Sequence, residues 1–195
     1  MKILIIEDDN PDYNDIKECL PEGVEHVETV DRKKSWDDIN LKTLPNDYGL
    51  CITDIVKHKG AFDSFNCPVF IEKFREGIAN IASLYKHLGC GRIILITKVP
   101  PLELNKRLPD FLGCPDVETL FPMLFVECED GKCYNGDVIE ANKDSNFYLC
   151  NNGRVYTLTK PFDQNGNMLT NMDTWKSKLK VLLTGIVEKS STLKQ

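Results

Sequence analysis

The chain opens MKILIIEDDN, residues 1–10, and the reading of this stretch decides the fold. Ile3 to Ile6 is an unbroken apolar run without the alternation of a half-solvated strand. Such a run fits a strand covered on both faces, as in a parallel sheet with helices above and below. It passes directly into Glu7, Asp8 and Asp9. Open α/β sheets bind ligands just beyond the carboxyl ends of their strands, so clustered acids there point to a hard cation such as Mg²⁺. The same acids also fit a solvated turn that helps start the next helix.

Working outward, Asn10 followed by Pro11 reads as a helix start, with Tyr13, Ile16 and Leu20 recurring on one face and an end near Pro21. A short strand is expected around Val24 to Val30, then a helical stretch carrying Trp36, Ile39 and Leu44. Leu50 to Thr53 is a second buried-looking run, and it delivers Asp54. Phe70, Phe74, Ile78, Ile81 and Leu88 mark a long helix stopped by GCG at 89–91, before RIILIT gives a third apolar strand ending at Thr97. FYLCNNGRVYTLT, residues 147–159, reads as a hairpin around Asn152-Gly153 whose second strand runs into Lys160 and Pro161. Trp175, Leu179, Leu182 and Ile186 predict a closing amphipathic helix, with the tail EKSSTLKQ expected to fray.

With 195 residues the chain suits one domain with an elaboration. Pro100, Pro101, Pro109, Pro115 and Pro122 break the pattern from residue 100 to about residue 153, which reads as an insertion within a single domain over 1–195. A net charge of -6 argues against an electrostatic grip on nucleic acid or anionic lipid. No run approaches a membrane span, and the opening apolar run is too short for a signal peptide, which predicts a cytoplasmic protein. In a reducing compartment the eight cysteines are most simply small buried hydrophobes or free thiols. Cys128, Cys133 and Cys150 are the subset closest to a zinc spacing, yet no CxxC pair or nearby His completes four ligands.

Listed by strand ends, the chain offers Glu7 and Asp8, then Asp54, then Thr97, then Lys160 followed by Pro161. This order of acid pair, acid, hydroxyl and lysine resembles the receiver domain of two-component response regulators. ILIIEDD and YTLTKPF read like the opening and closing signatures of that family, and the separation of Asp8 from Asp54 is close to its usual spacing. The resemblance covers Met1 to Thr97 and Arg154 to the final helix. It implies a flavodoxin-like fold, a doubly wound parallel five-stranded α/β sheet of order 2-1-3-4-5 flanked by helices.

The resemblance also implies roles. Asp54 is the phosphoryl acceptor; Mg²⁺ is held by Asp8, Asp54 and the backbone carbonyl of Val56, with Glu7 acting through a bound water. Thr97 and Lys160 contact the phosphoryl group, and movement of Thr97 couples phosphorylation to a docking surface. The implied donor is a histidine kinase or phosphotransfer protein and the output is a protein partner. Any catalysis is limited to self-catalysed phosphoryl transfer to Asp54 and its reversal by hydrolysis.

Several positions depart from the family pattern. Lys57 and His58 follow Asp54 where an apolar residue and a proline usually stand, and Lys98 replaces a small residue after Thr97. Val56 and Val99 occupy positions that influence hydrolysis, and neither can orient a water by hydrogen bonding, so a long-lived aspartyl phosphate is expected. Thr97 and Lys160 are separated by far more than the about twenty residues that a loop, helix and strand require, placing the insertion in the signalling face. Tyr156 lies one position away from the family's switching aromatic, where this chain has Thr157. The alternative reading is a pseudo-receiver, an interaction module that keeps the fold without phosphorylation. A Mg²⁺-dependent phosphohydrolase ranks behind both, since the second Asp expected two residues past the nucleophile is Val56. No glycine-rich phosphate loop follows the first strand.

Overall fold

The computed structural model describes residues 1–21, 29–56, 67–89, 91–97, 138–142, 147–151, 155–159 and 172–192. Among these residues seven strands form one mixed sheet: β1 Lys2–Ile6, β2 Thr29–Lys33, β3 Tyr48–Thr53, β4 Arg92–Thr97, β5 Val138–Asn142, β6 Phe147–Asn151 and β7 Val155–Thr159, ordered β2-β1-β3-β4-β7-β6-β5. The first five in that order are mutually parallel. They reproduce the expected 2-1-3-4-5 arrangement, with β7 as its fifth member. Two further strands adjoin this parallel block. β6 pairs antiparallel with β7, and β5 with β6, so part of the 100–153 segment extends the sheet beyond its parallel block. β6 and β7 are the two arms of the expected hairpin, and the three residues between them are too few for a parallel crossover; Asn152 and Gly153 themselves lie outside the described residues.

Helices cover both faces. α1, Asn10–Glu18, and α3, Met172–Thr192, lie on one, where Ile16, Trp175, Leu179, Leu183 and Ile186 pack on Ile3, Ile5, Ile52, Ile94 and Ile96. α2, Pro68–His87, covers the other, where Phe70, Phe74, Ile78 and Ile81 meet Leu4, Ile6, Cys51, Ile93 and Leu95. The alternation of β1 between these two clusters explains its unbroken apolar run, since both of its faces are dry. α2 starts on Cys67, whose Sγ accepts from the Phe70 N–H at 3.3 Å, with Pro68 in the first turn. Past its end Gly89 takes φ +57°, the left-handed conformation that a glycine adopts without a Cβ clash.

Three local expectations change. No α-helix carries Trp36, Ile39 and Leu44; a single 3₁₀ turn, Trp36–Asp38, is followed by a looser turn. Side chains compete with helical backbone bonds there. Ser35 and Asp38 cap each other, the Asn40 carboxamide accepts from the Lys42 N–H at 3.0 Å, the Thr43 hydroxyl bonds the Asn40 carbonyl, and Pro45 follows. The apolar residues still reach the α2 side of the core. At the carboxyl end, α3 continues through Thr192, so most of the tail expected to fray is helical. The strand expected over Val24 to Val30 is placed at Thr29–Lys33, and the residues before Thr29 in that span lie outside the described ones. Among the described residues no helix is long and apolar enough to cross a membrane.

Candidate functional site at the carboxyl edge of the parallel strands

The register brings the acids together. Ile6 pairs with Thr53, so Glu7 and Asp54 are the first residues beyond adjacent parallel strands. Thr53 pairs with Leu95, which sets Thr97 at the end of the next strand along, and Thr97 pairs with Thr159 of β7. Lys160 follows Thr159 and lies outside the described residues, as do Lys57, His58, Lys98 and Val99.

The three opening acids have different surroundings. Glu7 is 3% exposed, and its Oε1 accepts from the Asp9 N–H at 3.1 Å. Asp8 is half-buried, whereas Asp9 is exposed and caps α1 by accepting from the Asp12 N–H at 3.3 Å. The helix-starting role considered for the acidic stretch therefore falls to Asp9. Asp8 is the acid of the three that combines access to solvent with a place in the loop before the cap.

Asp54 is half-buried, and its Oδ1 accepts from the Val56 N–H at 3.3 Å. Behind it the chain is held by close packing. Ile55 is fully buried, and a Cβ built on Gly77 of α2 would stand 1.8 Å from the Ile55 carbonyl oxygen. Gly77 thus lets α2 lie directly against the backbone that carries Asp54 and Val56, an approach any larger residue would block. Thr97 is fully buried. Tyr156 is buried in the α1/α3 cluster, so its ring belongs to the packing beneath those helices.

A residue not singled out from the sequence organises the loop. Arg32 of β2 donates from Nε to the Glu7 carbonyl at 3.1 Å and from Nη2 to the Asp8 and Asp9 carbonyls at 3.4 and 3.3 Å. Its guanidinium carbon stands 4.1 Å from the centroid of the Tyr13 ring, a cation–π distance. On the opposite face of β2, the Tyr48 hydroxyl donates to Asp31 at 2.5 Å. Burial, then that bond, push the Tyr48 phenol up to about 12.

For a cation the donor set is hard: two half-buried carboxylates, Asp8 and Asp54, at adjacent strand ends, and the backbone oxygen of Val56 in the same loop as Asp54. Among the described residues no group of three or more His, Cys, Asp and Glu side chains is placed to hold a metal ion. Mg²⁺ does not require one, because it commonly takes one or two carboxylates and completes its shell with water and phosphoryl oxygens. Of the cysteines, Cys19 and Cys51 are buried and Cys67 half-buried, all free thiols. Cys128 and Cys133 lie outside the described residues, and nothing is described of the Cys150 side chain. No protein-family model, no curated protein and no solved structure matches this chain.

Proposed function

We propose that the chain is a receiver-like switch of the cytoplasm: Asp54 accepts a phosphoryl group from a histidine kinase or phosphotransfer protein in a Mg²⁺-dependent step, and the modified domain docks a protein partner. The observation that carries this reading is the Ile6–Thr53 pairing, which sets the acidic loop and Asp54 side by side at one edge of a parallel sheet. An Asp54 carboxylate oxygen attacks phosphorus; an O–P bond forms as the bond to the donor's nitrogen breaks, and the leaving group keeps the electron pair. Nothing is oxidised or reduced.

Bound Mg²⁺ would neutralise charge between the carboxylate and the phosphoryl oxygens. Asp8, Asp54 and the Val56 carbonyl are the groups assigned to hold it. Glu7 fits an outer position, because it is buried and one of its oxygens already serves the Asp9 amide. Thr97 and Lys160 are assigned to the phosphoryl oxygens. Pairing of Thr97 with β7 gives its movement a route into the strand that adjoins the added β6.

The test is the intact mass of the protein after incubation with acetyl phosphate and Mg²⁺, beside an Asp54→Asn variant and an EDTA control. A single phosphoryl adduct that requires both Asp54 and Mg²⁺ is the expected result. Absence of an adduct in a folded protein, with a phosphotransfer donor also failing, would favour the phosphorylation-independent module. One observation leans that way: β7 is covered by β6, so the inserted segment alters the sheet margin beside the switch strand.

A further inference from the structure

We propose that Arg32 is the positioning residue of the acidic loop, and that its grip on three successive carbonyls sets the affinity of Asp8 and Asp54 for a divalent cation. This deepens the reading just given and rests on it. Arg32 stands opposite Ile5 in the β1–β2 register, on the same face of β2 as Val30, which packs towards α1 and α3. From there one half-buried side chain bonds the carbonyls of Glu7, Asp8 and Asp9 and stacks on Tyr13 in the first turns of α1. β2, the loop and the helix start are thereby tied to a single planar group.

The group suits the task. A guanidinium keeps its charge at any working pH, offers several donors in a rigid fork and stacks on aromatic faces, whereas a lysine offers a point charge on a flexible stem. With three consecutive peptide oxygens drawn to two nitrogens of one guanidinium, the loop backbone is arranged before any cation arrives. Preorganisation of this kind raises affinity by removing ordering costs from the binding step. Glu7 N–H adds a further tie by donating to the Lys33 carbonyl at 3.0 Å.

Two effects of Arg32 oppose each other, and their signs differ. Its positive charge by itself disfavours a dication at neighbouring carboxylates. Its hydrogen bonds favour binding by holding the loop. If charge dominated, loss of Arg32 would tighten cation binding; if positioning dominates, loss weakens it.

The experiment is calorimetric titration of Mg²⁺ into wild type, Arg32→Ala, Arg32→Lys and Asp8→Asn at constant ionic strength, each first checked for folding by thermal unfolding. Arg32→Ala and Arg32→Lys are expected to bind about tenfold more weakly, the lower end for loss of an outer-shell partner. Asp8→Asn should lose binding. Labelling of Arg32→Ala by acetyl phosphate should slow at limiting Mg²⁺ and recover at saturating Mg²⁺, a split that general damage to the fold would not produce. Unchanged or tighter binding by Arg32→Ala overturns the proposal. Should that variant fail to fold, Arg32→Lys decides, and wild-type affinity in it overturns the proposal equally. A wild-type protein that binds no Mg²⁺ overturns the metal reading beneath it and this proposal together, whereas binding lost only in Asp8→Asn removes the role of Arg32 alone.

Discussion

Replacing Gly77 by alanine opposes two well-separated energies. In an exposed helix interior that change adds about 0.8–1.0 kcal/mol of stability through backbone entropy and propensity. At Gly77 the new Cβ would lie 1.8 Å from the Ile55 oxygen and 2.9 Å from its carbonyl carbon. Close carbon–oxygen contacts in proteins settle at about 3.3–3.6 Å, so the two backbones must part by about 1.5 Å. No rotamer change relieves this, because both partners are main chain. Overpacking typically costs about 1–3 kcal/mol, and a contact this short belongs at the top of that range. The net expectation is a loss of about 2 kcal/mol. For a chain of this length that lowers the melting temperature by about 4–8 °C. Gly185 of α3 supplies the control, since nothing lies within 4 Å of the place its added methyl would take; Gly185→Ala should gain close to 1 kcal/mol, the propensity term alone. Urea unfolding followed by far-ultraviolet circular dichroism, with comparable slopes for all three proteins, measures both changes. Gly77→Ala at or above wild-type stability would refute the close approach of α2 to the Asp54 loop.

Three further outcomes are expected. Burial pushes the Cys19 thiol from 9.0 up to about 11, and burial with the Asp31 bond pushes the Tyr48 phenol from 10.0 to about 12, so both groups hold their protons longer in the folded chain. The stability they confer is complete below the unfolded values and drains as pH rises towards the folded ones; urea midpoints should fall from pH about 9 upward, Tyr48→Phe should remove the later part of the decline, and a flat profile would contradict both assignments. Asp9→Ala should cost about 1 kcal/mol through loss of the α1 cap, while Asp54 remains open to Mg²⁺-dependent labelling; loss of labelling with the fold intact would return Asp9 to the site. Val56→Asn should shorten the lifetime of the Asp54 phosphoryl label by giving the attacking water a hydrogen-bond partner, and an unchanged lifetime measured by intact mass would remove Val56 from that role.

Much of the parallel core was legible because burial on two faces leaves a direct mark on sequence. Ile3–Ile6, Leu50–Ile52 and Ile93–Ile96 are apolar runs, and each lies in a central strand. β2 was harder: as the edge strand it alternates between exposed and half-buried positions, and its TVDRK sequence carries no apolar run. The segment from Trp36 to Leu44 misled for a different reason. Its apolar residues do face the core, but their spacing does not reveal that Ser35, Asp38, Asn40 and Thr43 bind nearby backbone and end the helix after one turn.

Arg32 shows where reading by motif stops. Charge on an edge strand is ordinarily solvated or guards against unwanted pairing, and nothing local in VDRK distinguishes Arg32 from Lys33. Its role follows only from register: β2 pairs with β1 so that Arg32 falls opposite Ile5, two residues short of the acids, on the face where α1 brings Tyr13. Strand ends deliver the acids, and the sequence orders them; the side chain that fixes their backbone comes from the neighbouring strand. The same dependence on register governs β7. Tyr156 faces the α1/α3 cluster, and β7 is interior because β6 pairs beyond it. In a five-stranded sheet that strand would be an open margin, with its free backbone groups available to a partner or needing protection. Here one side of β7 is joined to β4 and the other to β6, so under the proposed function any movement of Thr97 passed to β7 would reach residues of the inserted segment at that margin. If the proposed switch docks a partner, the insertion is the segment to exchange first, leaving Asp8, Asp54 and Thr97 in place; an unchanged partner after the exchange would refute that placement.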